Sequence, residues 1–251
     1  MKEQLQKDFD NTIKNLSLSQ KDIEIKKFYL DSFVNRGFPN RKEEDWKFSD
    51  LSQIIKKNIG ELSFYTDYTS TNKIDTSVYV DGLEHNKIVF INGRIEKIDF
   101  DYEKKNQIEI IDQSETIDQF NNNNSLSDLN NAFTNKSFKV LIKKGYQLKK
   151  PLIIYHTTNS NIWSKNINLR LNFELDNDSS LRLIDLFNDT SEKNFLNIFY
   201  NFDLKENAIL KNYKVDRFES KNIKYSYNNI EQAKNSNSET FILSSGSNFF
   251  K

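Results

Sequence analysis

The 251-residue chain contains no cysteine, two prolines and six glycines. Without cysteine it cannot form disulfides, thiolate zinc sites or a cysteine nucleophile, and it cannot ligate an iron–sulfur cluster through cysteine. The absence of cysteine also fits a reducing compartment, so we predict a cytoplasmic location.

The chain also lacks net charge, because 36 basic residues balance 36 acidic ones. Such a protein has no overall field that attracts nucleic acid or an anionic membrane surface. No apolar run approaches the roughly 20 residues of a membrane span. The first residues, MKEQLQKDFD, are too polar for a signal peptide. We therefore predict no nucleic-acid partner and no membrane span.

Aromatic residues, by contrast, are plentiful, with 20 Phe and 11 Tyr. They supply large buried area to a chain in which only 36% of residues are hydrophobic. We predict a folded protein of one or two domains.

Residues 1–60 are predicted to form a helical N-terminal region. Apolar residues at near-helical spacing over 5–16 indicate a first amphipathic helix. Ser19 with Asp22 opens a second helix, which ends at Gly37.

The next stretch offers a further helix start. Pro39 prevents the second helix from continuing, and Asn40 can cap a new helix with Glu43 in a capping-box arrangement. Trp46 lies in the segment that would follow this cap.

Residues 61–135 are predicted to hold a linker, a β-hairpin and a short helix. Asn92-Gly93 separates two β-type runs, and both residues tolerate the positive φ of a type I′ turn. The other predicted elements are a linker or surface loop over 66–77, a strand over 108–111, and a helix opened by Ser125 with Asp128 and ending near Phe133.

Residues 136–251 are predicted to be all-β, because one pattern recurs three times: an aliphatic residue, two polar residues, a Gly, Asp or Asn, two variable residues, and Leu. The copies begin at Ile142, Leu175 and Leu204, and their fourth residues are Gly145, Asp178 and Asn207. The fourth position always accepts left-handed backbone geometry, as a tight corner between strands requires. The last two copies are 29 residues apart. Flanking runs such as 167–175 alternate apolar and polar residues, the period of a half-buried strand. Stacked strands with recurring corners indicate a β-solenoid, and a β-sandwich with similar turns is the alternative.

The two histidines, His85 and His156, lie far apart in sequence, and neither has a second ligand residue at metal-binding spacing. We expect both to be structural or surface residues rather than metal ligands.

Two pairs of acidic residues could serve a β-helical enzyme that cleaves glycosidic bonds. They are Asp176 with Asp178, and Asp185 with Asp189. The first pair lies in a predicted corner, where turn geometry alone favours Asp, so the structural explanation is preferred.

The remaining conspicuous residues are expected to be structural. Lys143, Lys144, Lys149 and Lys150 are interpreted as a solvated edge that discourages strand pairing, and Trp46 and Trp163 as packing anchors. The sequence has no Gly-rich phosphate loop, so ATP hydrolysis by this chain is not expected. Nothing nominates a catalytic centre, and we predict that the chain is not an enzyme.

Residues 36–51, RGFPNRKEEDWKFSDL, resemble the N-terminal signature of SufD proteins, within the SufB/SufD family of iron–sulfur cluster assembly scaffolds. The matching residues are Gly37, Phe38, Pro39, Asn40, Arg41, Glu43, Glu44, Asp45, Trp46, Lys47, Phe48, Asp50 and Leu51. The hairpin segment 91–94 is similar to the "VNGR" hairpin of that family. Segments 129–154 and 196–215 are similar to its β-helix motifs, which SufB and SufD share.

The resemblance implies a right-handed parallel β-helix whose first part would be residues 136–251. It implies a non-catalytic scaffold that pairs with SufB through the β-helices and works with the SufC ATPase. The iron–sulfur cluster would be assembled on the complex, with no cofactor or metal held by this chain itself. The alternatives are a β-solenoid enzyme acting on polysaccharide and a bare β-solenoid binding module.

The resemblance also implies an incomplete β-helix. The sequence stops at 249–251, where family members continue through further coils and a helical SufC-docking domain. We expect a fragment, a truncated gene product or a divergent short form, which by itself would be unstable or self-associate.

Overall fold

The computed structural model describes residues 2–16, 18–66, 74–112, 124–134, 137–158, 162–189, 193–218, 222–246 and 249–251. The helices in these ranges are α1 (Lys2–Asn15), α2 (Gln20–Arg36), α3 (Leu51–Asn58) and α4 (Ser125–Phe133). The strands are β1 (Ser63–Phe64), β2 (Asn86–Ile91), β3 (Arg94–Asp99), β4 (Ile108–Asp112), β5 (Ser137–Ile142), β6 (Leu152–Thr157), β7 (Lys165–Leu175), β8 (Ser180–Asp189), β9 (Phe195–Leu204), β10 (Ile209–Phe218), β11 (Ile223–Gln232), β12 (Asn237–Ser245) and β13 (Phe249–Phe250).

The strands form two sheets between which the chain alternates. Sheet I has the order β13-β11-β9-β7-β5-β4, with β1 also beside β7, and sheet II has the order β12-β10-β8-β6-β2-β3. From β5 onward each strand pairs in parallel with the strand two places later in the chain. Only β2–β3 and β4–β5 pair antiparallel among the described strands. The result is a β-solenoid of about three turns, which confirms the predicted fold and not the sandwich alternative.

The corners between the sheets have the predicted backbone geometry. Gly145, Asp178 and Asn207 have φ values of 70°, 60° and 59°. The 29-residue repeat appears as strand register, since Phe173 of β7 lies beside Phe202 of β9. A fourth corner at Asn235, with φ of 59°, is absent from the predicted repeat because polar residues replace its flanking aliphatic ones.

The outer face of β7 in sheet I is almost fully buried, which corrects the prediction of a half-buried strand over 167–175. Helix α4 packs on β7 and β9, so the polar residues of β7 are covered as well as the apolar ones. They are satisfied by amide ladders between strands: Asn197 donates to Asn168 at 2.8 Å, and Asn201 donates to Asn172 at 2.7 Å. A polar outward face therefore does not mean an exposed one here.

The first two helices agree with the sequence prediction. Ser19 and Asp22 form a reciprocal capping box at the start of α2, and Gly37 follows the helix with φ of 73°. Within the described ranges, no helix is long and apolar enough to cross a bilayer.

Of the capping box predicted at Asn40, one contact is present, since the Asn40 backbone N–H donates to Glu43 Oε1 at 3.2 Å, but no α-helix begins there. The Asn40 side chain accepts a hydrogen bond from the Lys42 backbone N–H, which makes a local turn. Only one 3-10 turn follows, at Glu44–Trp46, and α3 begins later under the cap of Asp50.

Two predictions between the helices and the solenoid need adjustment. The helix that we placed from Ser125 to Phe133 is present, but its cap is Asn124, whose side chain accepts from the Leu126 N–H. Of the predicted 66–77 linker, residues 67–73 lie outside the described residues, and Thr76–Val78 form a 3-10 turn. The Asn92-Gly93 hairpin is confirmed, with φ values of 54° and 77°.

Candidate functional site: an ionic cluster inside the solenoid

The side chains that point into the solenoid become more polar and charged along its axis. Strand register stacks inward side chains in columns, and one column runs from Ile154 to Asp185 to Lys214. In the next column, His156 is followed by Phe187 and then Asp216. Both columns thus end in a charged side chain on β10.

His156 is held between two aromatic rings. Its imidazole stacks on Phe187 with ring centroids 4.2 Å apart and on Phe90 at 5.3 Å. The side chain is buried. These contacts fix the plane of the imidazole.

The imidazole Nε2 lies 2.7 Å from Asp185 Oδ1 and 2.9 Å from the Tyr200 hydroxyl. The Tyr200 hydroxyl donates to the same carboxylate oxygen at 2.8 Å. Because an ionised carboxylate can only accept, Nε2 must carry the proton of the imidazole. His156 and Tyr200 therefore act together as donors to Asp185.

Two lysines complete the cluster. The Lys214 ammonium lies 3.6 Å from Asp185 Oδ2, donates to Ser226 Oγ at 3.1 Å, and sits 3.9 Å from the Tyr200 ring centroid. The Lys224 ammonium donates to Asp216 Oδ1 at 2.5 Å and lies 3.7 Å from the Phe187 ring centroid. Both ammonium groups are buried and exchange hydration for carboxylate and aromatic contacts.

Burial and the neighbouring charges set the protonation states. Burial lowers the pKa of His156, although Asp185 opposes the change, so the imidazole is neutral at pH 7. Burial disfavours the charge on Asp185, but the contacts with His156 and the two lysines outweigh it and hold the carboxyl pKa below its usual range. Burial lowers the pKa of Lys214 to about 8, with Asp185 acting in the opposite direction. At neutral pH Asp185 and Lys214 thus remain an ion pair.

Several polar atoms of this interior have no protein hydrogen-bond partner among the described residues. They are both side-chain polar atoms of Asn212, Oδ1 of Asn228, and Oδ2 of Asp185 and Asp216. A cavity of about 20 Å³ lies beside His156, lined also by Phe90, Thr157 and Phe187. The rest of its lining is mainly apolar, and none of the residues with unpartnered polar atoms lines it.

The cluster is enclosed, and this limits its chemistry. Asp185, Lys214, Asp216 and Lys224 each expose at most 1% of their surface. A polymeric substrate on the outside of the solenoid could not reach them. The arrangement can hold charges and exchange protons, and it ties together strands from successive turns.

His85 and the first acidic pair have local structural roles. His85 is buried, with Nδ1 2.6 Å from the Leu83 carbonyl and Nε2 2.8 Å from the Tyr155 hydroxyl. Asp176 accepts from the Asn177 N–H at 2.7 Å, and Asp178 accepts from the Asn207 amide at 2.8 Å across adjacent corners. The predicted corner role of this pair is therefore supported.

The second acidic pair is described only in part, because the side chain of Asp189 lies outside the described part of the chain. Asp185 points into the solenoid, and Asp189 is the last residue of β8. No group of three or more His, Cys, Asp or Glu in the described part of the chain is arranged to hold a metal ion.

The tryptophans differ from each other. Trp46 is the predicted anchor, buried and stacked on Tyr225 and Phe249. Trp163 is 71% exposed, so its predicted packing role is wrong.

The predicted lysine edge is also wrong. Lys143 and Lys150 flank the Gly145 corner between strands that have neighbours on both sides. Their ammonium groups pair with Glu109 and Glu84, at 2.5 and 2.6 Å.

The sequence analysis named His156 and Asp185 but missed Tyr200, Lys214, Asp216 and Lys224. The signal that could have found Lys214 and Asp216 is the 29-residue repeat, which places Lys214 on Asp185 and Asp216 on Phe187. The repeat copies place Leu181 and Leu210 at equivalent inward positions, which fixes the phase of both strands.

Compared with models of known protein families and with curated proteins, the chain matches none. The family resemblance thus depends on the motifs in the sequence.

Proposed function

We propose that this chain is a non-catalytic scaffold of the SufB/SufD type, which pairs with a SufB homologue and works with a SufC ATPase. Its role would be in iron–sulfur cluster assembly in the cytoplasm, with the cluster as cargo of the complex. The proposal rests on the sequence motifs together with the place of the signature segment 36–51 in the fold.

That place is the observation that carries the proposal. Within the segment, Gly37 ends α2 and Asp50 caps α3, while Trp46 stacks on Tyr225 at 5.9 Å and on Phe249 at 6.1 Å. Trp46 of the signature thus fastens the helical region to the later turns of the solenoid, while Gly37 and Asp50 set the helix ends on either side of it. This gives a physical reason for the signature and the β-helix motifs to occur together.

The edge of β12 would be the pairing surface for the SufB homologue. Within the described strands, β12 is the outermost strand of sheet II, and it pairs with β10 on one side. The Asn237 N–H donates to the carbonyl of Ala208, the residue before β10. By the alternation of a parallel ladder, the N–H groups of even-numbered residues such as Thr240 point away from β10. They are available to a strand of another solenoid.

The test is co-purification of the tagged chain with the SufB and SufC homologues of its host. We expect SufB to be retained by the wild type and by Thr240→Val, with SufC recovered when SufB is present. Thr240→Pro should lose SufB, because proline removes an outward N–H without removing a bond to β10. A wild-type chain that melts cooperatively and retains no SufB would overturn the proposal.

A further inference from the structure

The outer face of sheet II carries two apolar rows that cross three strands. Register places Ile184, Tyr213 and Phe241 side by side in one row, and Leu186, Val215 and Leu243 in the other. We call these six residues the sheet II patch. Phe241 and Leu243 are 58% and 55% exposed, and Tyr213 is 39% exposed.

The patch is continuous with a surface that the chain covers itself. One strand earlier, Ile153 and Tyr155 occupy the same two rows and are fully buried. Their cover includes Val78 and Tyr79, and the Tyr79 ring lies 4.9 Å from that of Tyr155. The segment 74–80 therefore covers the first part of this face, and exposure increases across β8, β10 and β12.

The position of β12 at the sheet edge does not account for this exposure. A strand added beside β12 would pair with its backbone edge and leave the outward side chains uncovered. Tyr213 lies on β10, which already has strands on both sides, and it is still exposed. The patch needs a cover over the face of the sheet.

The elements that already lie over the two sheets indicate which kind of element would cover the patch. On sheet I, the nine-residue helix α4 lies over β7 and β9. On sheet II, a 3-10 turn lies over the same two rows where they cross β6, beside the patch. In both places a short helical element presents apolar side chains to the sheet. A short amphipathic helix is the element that matches the patch.

Charged residues along one margin of the patch indicate which charge the partner should carry. Arg182 and Lys211 lie side by side in the neighbouring outward row, toward the corners. The third position of the row is Glu239, which pairs with Lys211 at 3.6 Å and leaves the row with a net positive charge. An anionic partner is favoured at this margin.

We propose that the sheet II patch docks an amphipathic helical segment of a partner protein, with acidic residues along the side that faces Arg182 and Lys211. The segment extends the cover that residues 74–80 begin. This surface is distinct from the β12 edge, and the inference does not depend on the proposed function.

The test uses a displayed library of helical peptides with randomised faces, selected on the wild-type chain and counter-selected on Phe241→Ser. We expect selected peptides to share an apolar stripe at i, i+3, i+4 and i+7, with Asp or Glu along one margin. Affinity should fall about tenfold or more for Tyr213→Ser, which removes a central aromatic contact. Lys211→Glu should weaken the acidic peptides and favour peptides with a basic margin.

The control is Phe28→Ser, which removes an aromatic side chain that is 67% exposed on α2 and should leave peptide affinity unchanged. Three results would overturn the proposal. One is the absence of enriched peptides, and another is equal binding to the patch variants. The third is self-association of the wild type in sedimentation that Phe241→Ser abolishes, which would make a second copy the occupant.

Discussion

The interior side of β7 is apolar, whereas that of β10 is largely polar and charged. The inward residues of β7 include Leu169, Leu171 and Phe173, while β10 turns Asn212, Lys214 and Asp216 inward. Both strands have the same parallel pairing and closely similar corners. The comparison indicates that register and corner geometry define this solenoid, while its interior accepts either chemistry as long as charges are paired.

The outward-facing side chains of the two strands show the reverse difference, polar on β7 and more apolar on β10. On β10 the outward residues Ile209, Tyr213 and Val215 are more apolar than the inward ones. The polar side of β7 is covered by α4, whereas the apolar side of β10 is exposed. The later turns thus place polar groups inside and an apolar patch outside, as expected for a region that meets another molecule.

The largest expected effect comes from unpairing a buried charge. Lys224→Met leaves Asp216 without its cation in the interior, and we expect a loss of about 3–5 kcal/mol in the free energy of unfolding. The double variant Lys224→Met with Asp216→Leu removes both charges and should regain most of this loss. Urea unfolding of the three proteins measures the comparison.

The matched control lies in the apolar interior. Phe173→Ala should also cost about 3–5 kcal/mol, because it opens a cavity beside Phe202. The prediction for the charged interior fails if the double variant is as unstable as Lys224→Met.

A smaller effect should appear in the pH dependence of stability. Burial lowers the pKa of Lys26 to about 8 against the opposing charge of Asp22, and that of Lys214 also to about 8. Above pH 8 the unfolded chain retains protons that these two folded-state lysines release. Unfolding then takes up protons, so stability rises with pH up to the ordinary lysine pKa of 10.5.

Urea midpoints between about pH 8 and 9.5 test this rise. Above that range the raised pKa values of Tyr200 and Tyr225 act against it, because the unfolded tyrosines ionise first. Lys26→Met should remove part of the rise, and Lys7→Met, at an exposed position of α1, should leave it intact. An unchanged slope in Lys26→Met would contradict the assignment.

The same comparison explains which features the sequence could predict. Corners and caps are local, so Gly145, Asp178 and the Ser19 cap could be recognised from a few residues. Alternate side chains of a strand point to opposite faces, and hydrophobicity normally identifies the set that faces the core. In β10 this rule would assign the wrong set to the interior, because the outward side chains are the more apolar ones.

Other failures have a similar cause. The burial of Trp46 but not of Trp163 depends on contacts with residues about 180 and 200 positions away, such as Tyr225 and Phe249. The helix predicted at Asn40 failed because a local side-chain turn competes with helix initiation. Long-range packing therefore decided what the local pattern left open.

The smallest predicted effect compares corners at the two ends of the solenoid. Gly145 has φ of 70°, and a Cβ there would meet no atom within 4 Å, so Gly145→Ala should cost only the backbone strain of about 1 kcal/mol. Asn235 has nearly the same conformation, with φ of 59°, and Asn235→Gly should be neutral or slightly stabilising. Thermal unfolding of both variants measures the difference. A loss well above 1 kcal/mol in Gly145→Ala would mean that the corner also depends on packing. A loss of about 1 kcal/mol there with a neutral or slightly stabilising Asn235→Gly would show that backbone conformation alone sets the cost at both corners, around interiors of opposite chemistry.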